Sequence, residues 1–219
     1  HIGSQIMDIG PFKESVLKVI AIAKELKKNN IKLSHIDIGG GLGIPYDNER
    51  TPDKSIFISE IVDLLKPLAT TILIEPGRSI VGEAGLLISK VINTKKSTSK
   101  NFIIVDAGMT DLLRPPLYSA YHSIKEVFYN GTNKTVCDVV GPVCETADFI
   151  GKDRNLSVSK GDYVAVESVG AYGFSLSSNY NTRMKSAEYL IAKDGQNIRK
   201  IRGRDTIEQI LENETKYLL

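Results

Sequence analysis

Apolar positions along the first third of the chain follow a helical period twice, and each time a short apolar run comes next. Residues 12–28 (FKESVLKVIAIAKELKK) place Val16, Leu17, Ile20, Ala23 and Leu26 on one face, with lysines on the other. Pro11 suits the first helical turn, and Asn29-Asn30 suits an exit. A short strand is predicted around Ile36–Ile38, ended by Gly39-Gly40-Gly41. Residues 55–68 predict a second helix with Ile58, Ile61, Val62 and Leu65 on its stripe, and TILIE predicts a buried strand ending at Glu75. Helix, strand, helix, strand argues for a parallel α/β arrangement.

Beyond Val81 the period changes. Residues 85–96, 101–108, 135–143, 162–173 and 188–201 read as strands bounded by Gly, Asn, Asp and Lys. Asp194-Gly195 signals a type I′ hairpin turn. The stretch from Asp205 to Glu214 reads as a helix with an Asp start and Ile207, Ile210 and Leu211 on one face. The expected fold class is α/β plus β: an α/β part over residues 1–85 and a β-rich part over residues 86–219.

Composition narrows the function classes. The 28 basic and 26 acidic residues give a net charge of +2, with no basic stripe, so nucleic acid is not an expected partner. No apolar run reaches membrane-spanning length, so no membrane partner is expected. The two cysteines, Cys137 and Cys144, make no disulfide framework and suit free thiols in a cytoplasmic setting. His35 and His122 read as structural or exposed. No His, Cys and carboxylate set has metal-ligand spacing, so no metal is expected.

Ser4, Gly39 and Glu75 stand 35 and 36 residues apart, each where a strand would end. A (β/α)8 barrel allots about 31 residues per βα unit and carries its chemistry at the C-terminal strand ends. Each motif has an inert reading beside a chemical one. Gly39-Gly40-Gly41 is a flexible turn, or a place where backbone N–H groups approach an anion. Glu75-Pro76-Gly77-Arg78 is a local ion pair capping a turn, or a carboxylate for a heteroaromatic N–H beside a guanidinium for an anion. His1 and Ser4 are a frayed end, or a ring to stack on a flat cofactor and a hydroxyl for phosphate. In Arg114-Pro115-Pro116-Leu117-Tyr118 the prolines predict an extended segment: an ordinary loop with an exposed Arg, or a rigid Arg114–Tyr118 pair for a carboxylate. Cys144-Glu145 is a buried small hydrophobe and its neighbour, or a rim thiol that donates a proton beside a carboxylate that holds an ammonium. Gly170-Ala171-Tyr172-Gly173 is a bulge with an aromatic plug, or a bend that presents one phenol.

In that order, HIGSQ, GGG, EPGR, RPPLY, CET and GAY, the motifs resemble the pyridoxal-phosphate-dependent decarboxylases of basic amino acids, with the alanine-racemase-like fold. The resemblance covers essentially the whole chain. It implies that residues 1–85 are the last units of a cofactor-binding (β/α)8 barrel and that a β-domain follows. It implies that His1 stacks on the cofactor ring and that Glu75 pairs with the ring nitrogen. Ser4, the amides of Gly39, Gly40 and Gly41, the backbone at Pro76, Gly77 and Arg78, and Tyr172 would hold the phosphate. Arg78, Arg114 and Tyr118, with Tyr172 at the same place, would bind a distal carboxylate of the substrate, and Glu145 its distal amine. Cys144 would protonate the carbanion. Cys144 and Glu145 would serve the partner subunit's site, which makes a homodimer the active unit. A distal end carrying both charges suits a diamino dicarboxylic acid. Ornithine and arginine need only a distal cation site, and the carboxynorspermidine type lacks this motif set in this order.

The family's cofactor-bearing lysine belongs early in the barrel. Lys90, Lys95, Lys96 and Lys100 read instead as solvated charges around a hairpin. Three βα units cannot close a barrel of eight, so the chain is expected to be the C-terminal part of a longer enzyme, inactive by itself and exposing strand edges and apolar interior. A catalytically dead relative that binds a partner subunit, and a β-domain binding module, are the other readings.

Overall fold

The computed structural model describes residues 1–129 and 133–218, in two units, His1–Gly85 and Leu86–Leu219. The first unit contains α1 (Gly10–Lys28), β1 (His35–Asp37), α2 (Lys54–Leu65), β2 (Thr71–Leu73) and the short α3 (Arg78–Val81). β1 and β2 are parallel, with His35 opposite Thr71 and Asp37 opposite Leu73. Ile6 forms a parallel bridge with Leu42: its N–H donates to Gly41 O at 2.9 Å, and Gly43 N–H donates to Ile6 O at 3.0 Å. Three extended segments therefore run side by side in chain order. That is the arrangement the motif spacing predicts.

The helices turn differently from the predicted stripes. α2 starts at Asp53, whose carboxylate accepts the N–H groups of Ser55 and Ile56 at 2.8 and 2.9 Å. It buries Phe57, Ile61 and Leu65, while Ile58 and Val62 are exposed. Phe57 meets Phe12 of α1 edge-to-face, ring centroids 4.9 Å apart. The aromatic pair takes the inward position and leaves Ile58 and Val62 outward, while Ile61 and Leu65 stay on the buried face. On α1 the inward residues are Phe12, Val16 and Ala23, and Leu17 is exposed. β2 is not a buried strand within this chain: Leu73 and Ile74 are exposed, since β1 is its single strand neighbour among the described residues.

The second unit contains β3 (Leu87–Lys96), β4 (Asn101–Val105), α4 (Arg114–Tyr118), β5 (Ile124–Glu126), β6 (Thr135–Val140), β7 (Phe149–Leu156), β8 (Tyr163–Val166), β9 (Glu188–Ile191), β10 (Ile198–Arg202) and α5 (Ile207–Thr215). Six strands form one sheet in the order β5-β8-β3-β4-β6-β7, antiparallel except for the parallel β4–β6 pair. Its two edges approach each other. Ser157 N–H, just past β7, donates to Glu126 Oε1 of β5 at 2.9 Å, and Arg154 Nη2 donates to His122 O at 3.3 Å. The sheet is thus a nearly closed barrel, filled by Val91, Val105, Leu112, Val139, Ile150, Val164 and Val166.

Four local readings need correction. The RPPLY segment is the helical α4, not extended, because prolines are accommodated in a first turn whose N–H groups have no intrahelical acceptor. The β9–β10 hairpin exists, but its turn is not type I′: Gly195 alone in the loop has positive φ (+71°), and its N–H donates back to Ala192 O at 2.8 Å. α5 is capped by Thr206 in a reciprocal box with Gln209, while Asp205 is taken by Arg202 at 2.6 Å. Lys100 is not merely solvated: it pairs with the buried Asp138 at 2.6 Å.

Ile150 is 1% exposed and Ile88, on β3, is 53% exposed. Ile150→Ala is expected to lower the free energy of unfolding in urea by about 2–5 kcal/mol, and Ile88→Ala by less than ~0.5 kcal/mol. Burial pushes the Cys137 thiol up to about 11. Its contribution to stability is therefore present below the unfolded-state pKa of 9.0 and is lost as pH rises through about 11. A maleimide at neutral pH is expected to reach Cys137 only when urea unfolds the barrel.

Candidate functional site

At the C-terminal ends of the parallel segments the first unit gathers most of its predicted site residues. A Cβ on Gly40 would lie 2.1 Å from Glu75 O, and one on Gly41, whose φ is +104°, would lie 2.5 Å from Gly3 O. Only bare backbone lets the three segments come this close. Glu75 N–H donates to Gly39 O at 2.9 Å, and Asp37 takes the Gly39 N–H at 2.8 Å. Among the described residues no hydrogen bond uses the N–H of Gly40 or Gly41. Arg78 opens α3 and donates Nη2 to Ser4 Oγ at 3.1 Å and Nη1 to the Tyr46 hydroxyl at 2.5 Å, with its guanidinium 5.6 Å from the Tyr46 ring centre. His1, Gly39, Gly40 and Glu75 line one cleft of about 310 Å³ with Asp37 and Phe12.

These groups fit a flat heteroaromatic phosphate. The Gly40 and Gly41 N–H groups, the Ser4 hydroxyl and the Arg78 guanidinium supply donors for an anion at the strand ends. The carboxylate of Glu75 lines the cleft and accepts no hydrogen bond among the described residues, which suits a ring N–H. Pro76 and Gly77 form the exposed turn that aims Arg78 back toward Ser4.

The second unit distributes its predicted residues differently. Cys144 is exposed, and Cys137 is the buried thiol of the pair. The Glu145 carboxylate accepts the Tyr180 hydroxyl at 2.6 Å. That hydrogen bond, and next the negative charge, raise the Tyr180 pKa, so the phenol remains a donor. Tyr172 is exposed in a left-handed conformation (φ +60°), between the buried Ala171 and Gly173; it is neither a bulge nor a plug. Such a backbone costs about 1–3 kcal/mol and is typical of functional positions. Arg114 and Tyr118 share α4 but part company: Arg114 is 7% exposed and Tyr118 65%. Arg114 Nη1 lies 2.7 Å from His122 Nε2, and His122 Nδ1 lies 2.9 Å from Glu167 O. The guanidinium can only donate, so Nε2 is the acceptor and Nδ1 carries the proton.

Sequence reasoning missed Tyr46, His122, Asp148 and Tyr180. Tyr46 and Tyr180 hold Arg78 and Glu145 from 32 and 35 positions away. His122 and Asp148 lie closer in sequence to Arg114 and Glu145, but each is itself anchored on a distant segment, at Glu167 and Met109. His122 is fully buried, as a structural reading expects, but it is the direct partner of Arg114. Among the described residues no cluster of metal-ligating side chains is found, and no helix is long and apolar enough to cross a membrane.

A family model described as "Pyridoxal-dependent decarboxylase, C-terminal sheet domain" matches residues 7–170. Diaminopimelate decarboxylase of Neisseria meningitidis serogroup B is 43% identical over 218 residues, covering 100% of this chain and 52% of the relative. The Aquifex aeolicus diaminopimelate decarboxylase is 47% identical, over 97% of this chain and 50% of its own length. The crystal structure of the Helicobacter pylori enzyme complexed with L-lysine superposes with a TM-score of 0.93 at 45% identity, over 100% of this chain and 54% of that one. Lysine decarboxylase from Selenomonas ruminantium is more distant, at a TM-score of 0.77 and 25% identity over 84% of this chain. The chain spans about half the length of the curated relatives it matches. With the motif order, the strand-end cluster and a model match over three quarters of its length, the chain belongs to the pyridoxal-dependent decarboxylase family.

Proposed function

We propose that this chain works as the C-terminal portion of a decarboxylase that converts meso-2,6-diaminopimelate to L-lysine and CO2, with pyridoxal 5′-phosphate as cofactor. The observation that carries the reading is the match to diaminopimelate decarboxylases at 43–47% identity along essentially its whole length. The lysine that bears the cofactor is assigned to the part of the relatives this chain does not cover.

Pyridoxal phosphate, when bound, supplies an electron sink for the pair left behind as CO2 departs. The residues of this chain do the rest. Glu75 would accept the ring N–H and so favour the protonated nitrogen. Ser4, Arg78 and the backbone of Gly39–Gly41 and Gly77 would hold the phosphate, and His1 would pack on the ring. Arg114 and Tyr118 would take the distal carboxylate; His122 fixes the plane of the Arg114 guanidinium for that task. Glu145, steadied by Tyr180, takes the distal ammonium. The bond from Cα to the carboxylate breaks, CO2 leaves, and the proton of the Cys144 thiol ends on Cα; solvent then reprotonates the sulfur. The exposure of Cys144 and Glu145 supports a homodimer in which both reach the partner subunit's site. Two free thiols suit a cytoplasmic enzyme.

The Arg114 and Tyr118 set favours this substrate over ornithine, arginine or lysine, none of which has a distal carboxylate. Arg114→Lys is expected to raise KM for meso-diaminopimelate about 10-fold or more, because a point charge replaces a fixed fork. Cys144→Ala is expected to lower kcat by about 10²-fold or more with little change in KM, as loss of a positioned proton donor does. Steady-state kinetics of the holoenzyme check both. Wild-type constants in either variant contradict the role given to that residue.

A further inference from the structure

The loop from Gly141 to Asp148 joins β6 to β7 and carries Cys144 and Glu145. It ends on an acid that none of the assigned roles uses. Asp148 is 3% exposed, and among the described residues no Lys or Arg pairs with it. Its carboxylate is satisfied by backbone: Oδ1 accepts the Met109 N–H at 2.6 Å, and Oδ2 accepts the Val143 N–H at 2.5 Å. Its own main chain closes the loop as well. Gly141 N–H donates to Asp148 O at 2.9 Å, and Asp148 N–H donates to Glu145 O at 3.0 Å.

Two glycines face this carboxylate. A Cβ on Gly141 would sit 2.4 Å from Oδ2, and a Cβ on Gly108 would sit 2.6 Å from Oδ1. Neither glycine has a positive φ, so the turn geometry does not call for glycine at either place. The space their missing side chains leave is filled by Asp148. An amide could not replace it, because both bonded groups are donors and an asparagine offers only one acceptor oxygen.

We infer that Asp148 is the positioning residue of the Cys144–Glu145 loop, setting where the thiol and the ammonium-binding carboxylate stand. The hold is two-sided. The Asp148 carboxylate holds Val143, the neighbour of Cys144, while its main-chain N–H holds the Glu145 carbonyl, and Tyr180 fixes the Glu145 side chain at 2.6 Å. The two holds share a support. Met109 lies in the turn where Asp111 accepts the Gly108 N–H at 3.0 Å, and Arg183, three residues past Tyr180, bonds Thr110 at 3.0 Å and Asp106 O at 2.6 Å. The inference rests on the proposed role of Cys144 as proton donor, and its test separates the two.

In the holoenzyme, Asp148→Ala is expected to lower kcat about 10- to 100-fold, the scale of a displacement near 1 Å. It is also expected to change the rate at which iodoacetamide alkylates Cys144 several-fold, followed by peptide mass spectrometry. Cys137, buried in the barrel, serves as the internal control and stays unreacted while the fold is intact. Gly141→Ala pushes on the same carboxylate and is expected to reproduce both effects, which keeps the test open if Asp148→Ala fails to fold. In the double variant the collision is gone, so Gly141→Ala adds nothing to Asp148→Ala. A kcat and a Cys144 alkylation rate within twofold of wild type in both single variants overturn the inference. If Cys144→Ala retains wild-type turnover, the proton-donor role falls. The alkylation rate then decides alone: a change supports the positioning role, and no change overturns it.

Discussion

The close approach of three bare backbone segments governs the first unit. Residues 3–6, 39–43 and 71–75 lie near enough that a methyl group at Gly40 or Gly41 would enter a neighbouring carbonyl. That contact brings Ser4, Glu75 and Arg78 to one place although 74 residues separate Ser4 from Arg78. It also leaves the Gly40 and Gly41 N–H groups without acceptors among the described residues, which is what an anion at the strand ends requires. The same glycines that set this packing are the ones proposed to bind phosphate, so a packing role for GGG does not compete with the phosphate reading.

The second unit solves a different problem. Its loops hold Cys144 and Glu145 exposed instead of buried. A nearly closed barrel supplies rigid stems, and the polar side chains between loops do the rest: Asp148 on two backbone N–H groups, Tyr180 on Glu145, Arg183 on the 106–111 turn. Arg114 is the exception to the exposed pattern. Its guanidinium is buried beside His122, where a fixed orientation is gained at the cost of desolvating a charge.

Much of this was legible in the residue pattern, and the failures have causes. The order of elements in the first unit followed from two helical stripes and two apolar runs, while the rotation of α2 did not, because it depends on Phe57 meeting Phe12 across 45 positions of sequence. Of the barrel strands, β3, β4, β6 and β8 show apolar runs. β5 is three residues long and β7 reads FIGKDRNL, so neither carries a period that could announce it. RPPLY misled because paired prolines suit both an extended segment and a first helical turn. The predicted site residues came from motif order; their holders, His122, Tyr180 and Asp148, each depend on a contact between distant segments and leave no local signature.

The measurement that tests the central claim most directly is substrate discrimination by the holoenzyme: lysine and CO2 formed from meso-diaminopimelate, against CO2 released from ornithine, arginine and lysine at equal concentration. The account predicts that kcat/KM for meso-diaminopimelate exceeds the others by about 10²-fold or more, since only that substrate meets both Arg114 and Glu145. Equal or greater turnover of a substrate without a distal carboxylate would contradict it.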